Sequence, residues 1–78
     1  MEIWDLLKDK KTVVVQRPGN VPFQIKPECW EGIVLGYSLL SKSGKRIPGY
    51  YRKMFINRQE FGWMTGGLDV VSYHDTEE

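Results

Sequence analysis

Ile33-Val34-Leu35-Gly36-Tyr37-Ser38-Leu39-Leu40 runs into Ser41-Lys42-Ser43-Gly44-Lys45, and then into Arg46-Ile47-Pro48-Gly49-Tyr50-Tyr51-Arg52-Lys53-Met54-Phe55-Ile56. Two extended stretches joined by a short polar loop read as an antiparallel hairpin with a basic tip. In the first, Ile33, Leu35, Tyr37 and Leu39 share one face, and Val34, Gly36, Ser38 and Leu40 share the other. In the second, Tyr50, Arg52, Met54 and Ile56 alternate with Tyr51, Lys53 and Phe55. This period of two is that of a pleated strand. Gly36 marks a bulge, a bend or a close backbone approach.

Before the hairpin, Thr12-Val13-Val14-Val15-Gln16 is a β-branched run, so a strand. Arg17-Pro18-Gly19-Asn20 is a turn, in which proline presets φ and glycine and asparagine accept positive φ. Residues 21–25 form a second short extended stretch, and Pro22 places it at a sheet edge because it has no N–H to give. Residues 27–32 read as one helical turn, with Pro27 at its first position and Gly32 at a left-handed exit. At the amino end, Ile3, Trp4, Leu6 and Leu7 fall on one face of a short helix over residues 2–9. One to two turns do not hold in water alone, so this helix must dock by its Trp4 and Leu7 side.

After the hairpin, Asn57 followed by Glu60 resembles a capping box, opening a short helix through Phe61 and Trp63 that residues 65–67 break. Residues 68–73 are a last strand, and residues 74–78 an acidic, disordered tail. The expected fold class is therefore α+β: one domain over residues 1–73 around a small, strongly bent antiparallel sheet. The sheet is either an SH3-like partial barrel or a sheet with the N-terminal helix packed on it.

The chain has 78 residues, which limits it to one core. Ten aromatic residues supply the apolar area for that core, and Trp4, Trp30 and Trp63 are expected as its pillars. An exposed tryptophan would instead mark a contact surface. Cys29 is the only cysteine, so no internal disulfide forms and a reducing, cytoplasmic setting is expected. No apolar run approaches the ~18 residues of a membrane span. The first residues carry acids and lack the basic start of a signal peptide. Met1 and the plain acidic end are those expected of a complete small gene product.

Candidate chemistry is sparse. A zinc site takes four Cys or His ligands, and this chain has Cys29 and His74 alone, so neither metal nor cofactor is expected. Ser72 and His74 share a strand face, but a histidine in a fraying tail cannot hold the geometry of a general base. Cys29, flanked by Glu28 and Glu31, reads as a small buried apolar residue and not as a reactive thiolate. The same two glutamates read as exposed charges and not as an acid–base pair. A nucleotide-phosphate loop ending at Ser43-Gly44-Lys45 would need glycine where Leu39 stands and serine or threonine where Arg46 stands. No catalytic residue is assigned.

Charge is more informative. Net charge is +1, but residues 32–59 contain no acid and six cations, while residues 60–78 carry five acids and no cation. Lys42, Lys45, Arg46, Tyr50, Tyr51, Arg52 and Lys53 bring cations and aromatic rings to one hairpin and form the candidate binding surface. Polarised charge of this kind steers and orients association with a protein partner. The expected function is a small non-enzymatic interaction module, accessory, regulatory or inhibitory, docking on a larger partner. The alternative is single-stranded nucleic-acid binding through residues 42–55, cations to phosphates and rings to bases.

Overall fold

A computed structural model describes residues 2–41, 43, 45–52 and 58–76, with residues 46–52 and 64 described by their backbone alone. The element order is α1 (Ile3–Lys8), β1 (Lys11–Gln16), β2 (Phe23–Trp30), β3 (Ile33–Leu40), β4 (Arg46–Arg52), α2 (Arg58–Met64) and β5 (Asp69–Asp75). The strands form one antiparallel sheet in the order β4-β3-β2-β1-β5. The α+β class is the observed one, with the N-terminal helix packed against β1, β2 and β3. Among the described residues no pairing joins β4 to β5, so the sheet ends in two edges.

The core is a consequence of the apolar spacing in α1. Ile3, Leu6 and Leu7 are buried against Val13 and Val15 of β1, Ile25 of β2 and Tyr37 of β3. Phe61 reaches the same cluster from α2 and meets Trp4 and Tyr37 edge-on, with ring centroids 5.4 and 5.2 Å away. Such edge-to-face pairs contribute roughly 0.5–1.5 kcal/mol each beyond their burial. Arg58 ties the start of α2 to α1 through Asp5 at 3.1 Å and Glu2 at 2.5 Å. Both carboxylates hold the guanidinium charged, Asp5 more than Glu2, and raise its pKa. Trp4 is therefore part of this core, as expected, while Asn57, the expected helix cap, lies outside the described residues.

Turn chemistry sets the register. Asn20 N–H donates to the Arg17 carbonyl at 3.0 Å, and Gly19 takes φ +80°. Proline and then glycine at the two central positions are the requirements of a type II turn. The turn hands the chain into β2, which lies inside the sheet between β1 and β3. Pro22 precedes β2 and so does not mark an edge, which corrects the sequence reading.

The larger correction concerns residues 27–32. They are not a helical turn: β2 runs on to Trp30 and pairs with β3 from Gln24↔Leu40 to Trp30↔Ile33. Glu31 and Gly32 make the two-residue connection with φ +50° and +78°. Two successive positive φ values give the hairpin turn whose twist matches the strands it joins. A single helical turn gains little from its own hydrogen bonds, whereas this segment gains a long ladder. Pro27 is tolerated because pairing of β2 with β1 covers only Phe23 to Ile25 and has ended before it.

Gly36 does stand at a bulge, where the register shifts opposite Glu28 and Cys29. The 33–56 hairpin is present as the β3–β4 pair through Arg52, and residues 53–56 fall outside the described residues. The last strand extends further than expected, to Asp75, so His74 and Asp75 belong to β5 and not to a tail. The reason is non-local. Thr12↔His74 and Lys11↔Asp75 pair in the ladder, Lys11 and Asp75 form a salt bridge, and Thr76 N–H donates to the Lys10 carbonyl at 3.2 Å.

Candidate functional site

The basic hairpin falls only partly within the described residues. Lys45 is exposed, and Arg46, Tyr50, Tyr51 and Arg52 lie in the backbone of β4, an edge strand. Lys42 and Lys53 lie outside the described residues. Nothing described brings these seven side chains together.

The structure draws attention to a different hairpin. Trp30 and Ile33 are direct cross-strand partners at the tip of β2–β3 and are 67% and 63% exposed. Leu35, the extra residue of the bulge two positions on, is 48% exposed. Cross-strand partners point to one face, so Trp30 and Ile33 form a continuous apolar surface. Trp30 is thus not a core pillar, and neither is Trp63, which is 72% exposed on α2. Both were expected inside because a small chain needs its aromatics there. Burial by α1 stops at Tyr37 and Ile25, and β2–β3 extends beyond that cover.

Beside the tip lies a cleft of about 460 Å³ lined by Lys10, Lys26, Pro27, Glu28, Cys29, Glu31, Gly32 and Thr76. It opens because β2 separates from β1 after the Val13↔Ile25 pair. Its rim holds two ammonium groups and two carboxylates, so it has no net charge at neutral pH. Lys10 enters the rim from a left-handed conformation, φ +61°, directly after the last turn of α1. That geometry is usually taken by glycine at a helix end. Cys29, expected to be buried, is an exposed thiol on this rim. The helix start that would have activated it does not exist, since residue 29 lies in a strand.

The arrangement offers an apolar anchor beside a polar recess. Chemically it can bury an aromatic or aliphatic group against Trp30 and Ile33, and give hydrogen bonds from the cleft. Among the described residues no three His, Cys, Asp or Glu side chains converge to hold a metal ion. No helix among them is long and apolar enough to cross a membrane. The only sequence signal for the tip was the Glu31-Gly32 pair between two β-rich runs, which also satisfies a helix exit. No protein-family model, curated protein or solved structure matches this chain.

Proposed function

We propose that this chain is a non-enzymatic protein-interaction module that docks on a larger partner through the β2–β3 tip. One observation carries the reading: Trp30 and Ile33 face each other across a two-residue turn, each more than half exposed. Leaving them in water costs apolar transfer free energy of ~25 cal/mol per Å² that a partner would recover. Tryptophan in such a position is the side chain most enriched among binding hot spots. An accessory, regulatory or inhibitory role fits a module of this size. A reducing, cytoplasmic setting keeps the exposed Cys29 thiol free.

The test is a photo-crosslinker placed at Leu35, compared with one at Asn20 on the opposite turn. One defined protein captured from position 35, absent from position 20, and lost on Trp30→Ala supports the proposal. Equal capture at both positions removes it.

The second reading is single-stranded nucleic-acid binding. Its support is the acid-free stretch 32–59 together with two exposed indoles, since rings of this kind stack on bases. Titration with single-stranded DNA and RNA, followed by tryptophan fluorescence at two salt concentrations, decides it. Quenching that weakens steeply with salt supports phosphate contacts, and a flat response at low salt ends that reading.

A further inference from the structure

The two edges of the sheet are defended unequally. Edge strands expose unpaired backbone groups, and proteins guard them with proline, lysine or arginine. β4 carries Arg46, Pro48, Gly49 and Arg52. β5, Asp69-Val70-Val71-Ser72-Tyr73-His74-Asp75, carries no proline, lysine or arginine, and its two acids stand only at its ends. All seven of its residues are exposed, including Val70, Val71 and Tyr73. Its inner edge is paired to β1, and among the described residues nothing pairs with its outer edge.

We infer that the outer edge of β5 pairs antiparallel with β5 of a second copy, forming a two-fold dimer through a continuous ten-stranded sheet. The occupant is indicated by the strand's own pattern. Val15↔Val70 and Val13↔Tyr73 put Val70 and Tyr73 on the face that α1 covers elsewhere. Gln16↔Asp69 and Thr12↔His74 put Asp69 and His74 on the other face. The bulge at Val71 produces this spacing, because its extra residue switches the alternation. A two-fold axis normal to the sheet keeps each face on its own side, and directly opposed residues must share a face. The register centred on the bulge satisfies both conditions. It sets Val70 against Tyr73 of the second copy, and Asp69 against its His74, each pair occurring twice.

Aromatic–β-branched pairs are favourable cross-strand combinations, and a histidine N–H can donate to the carboxylate of the opposed Asp69. In this register no carboxylate of β5 opposes another, and Asp75 already has Lys11 as its partner. Centring the axis on Ser72 would set Asp69 against Asp75 and mix the faces. The strand is self-complementary in one register, and isologous two-fold pairing is the commonest form of assembly. This interface is separate from the β2–β3 tip and does not depend on it.

The experiment is sedimentation of the full chain over a concentration series, with His74→Glu and the charge-swapped Asp69→Lys/His74→Glu double variant. All the altered side chains are exposed, and circular dichroism verifies that each variant is folded. The expected result is a concentration-dependent dimer, weakened at least about tenfold in Kd by His74→Glu and restored by the double variant. Cysteine linking reads the register independently in a Cys29→Ser background. Val70→Cys and Tyr73→Cys should each link poorly alone and link to one another when mixed, because opposed strand residues lie within disulfide reach. A chain that stays monomeric to about 1 mM, a dimer indifferent to His74→Glu, or Val70→Cys linking to itself as fast as the mixture does would overturn the proposal.

Discussion

β2 and β3 hold deeply buried and widely exposed apolar residues within one pair of strands. At one end Ile25 and Tyr37 are covered by α1 and Phe61. At the other Trp30 and Ile33, in the same two strands, are open to solvent. The ladder joins both ends, so strand formation does not distinguish them. The difference is the helix: α1 has six residues, long enough to cover one end only. A sheet with one partial cover is divided in two, with cohesion under the helix and an exposed apolar surface beyond it.

That division should show first in stability. Leu7→Ala, in the covered half, removes a fully buried side chain and should cost about 2–5 kcal/mol in urea unfolding. A domain of this size has roughly 3–5 kcal/mol to lose, so the variant should be largely unfolded by circular dichroism. At the open end, Gly32→Val forces a β-branched residue into φ +78°. The expected cost is about 1–2 kcal/mol, with chemical-shift changes concentrated in residues 28–36. Equal losses at both ends would refute the division.

At the covered end sits Ser38, opposite Lys26, wholly buried, with no hydrogen-bond partner for its hydroxyl among the described residues. Ser38→Ala removes that unsatisfied group and should leave the protein as stable or more stable, by up to about 1 kcal/mol. A clear loss of stability would mean that the hydroxyl is satisfied.

The Lys11–Asp75 clip tests the β1–β5 edge by pH. The hydrogen bond and charge of Lys11 hold the Asp75 carboxyl below its ordinary value of 3.8, and Asp75 in turn raises Lys11 above 10.5. A lowered carboxyl pKa contributes stability above its unfolded value, lost as pH falls through the lower folded one. A raised lysine pKa contributes stability that is lost only as pH climbs through the raised value. Hydrogen exchange at Thr12 and His74 should therefore be steady in its protection between these limits and lose it on acidification below pH 3.8. Asp75→Asn should flatten that profile. The smallest effect is expected at Trp30→Ala, within about 0.5 kcal/mol in stability, together with loss of the partner captured at position 35.

Local chemistry was legible wherever a residue's constraint acts within a few positions. The spacing of Ile3, Trp4, Leu6 and Leu7, the Pro18-Gly19 turn, the strand over residues 33–40 and the bulge near Gly36 all read directly from the chain. Residues 27–32 did not, because proline and then glycine five residues apart suit a helical turn and a hairpin alike. The choice falls to β3, a partner outside the window. His74 was misread as tail for the same reason: nothing near it in the chain announces the pairing with Thr12.

The candidate surface shifted accordingly. Charge segregation and the α+β class are properties of residue identity and order, and the sequence determined them unaided. Which tryptophans pack on the core and which stay exposed was decided in three dimensions. Trp4, Trp30 and Trp63 have the same transfer free energy; Trp4 is partly buried because α1 sets it against Phe61 and the core, whereas Trp30, at the end of β2, and Trp63, on α2, remain in water.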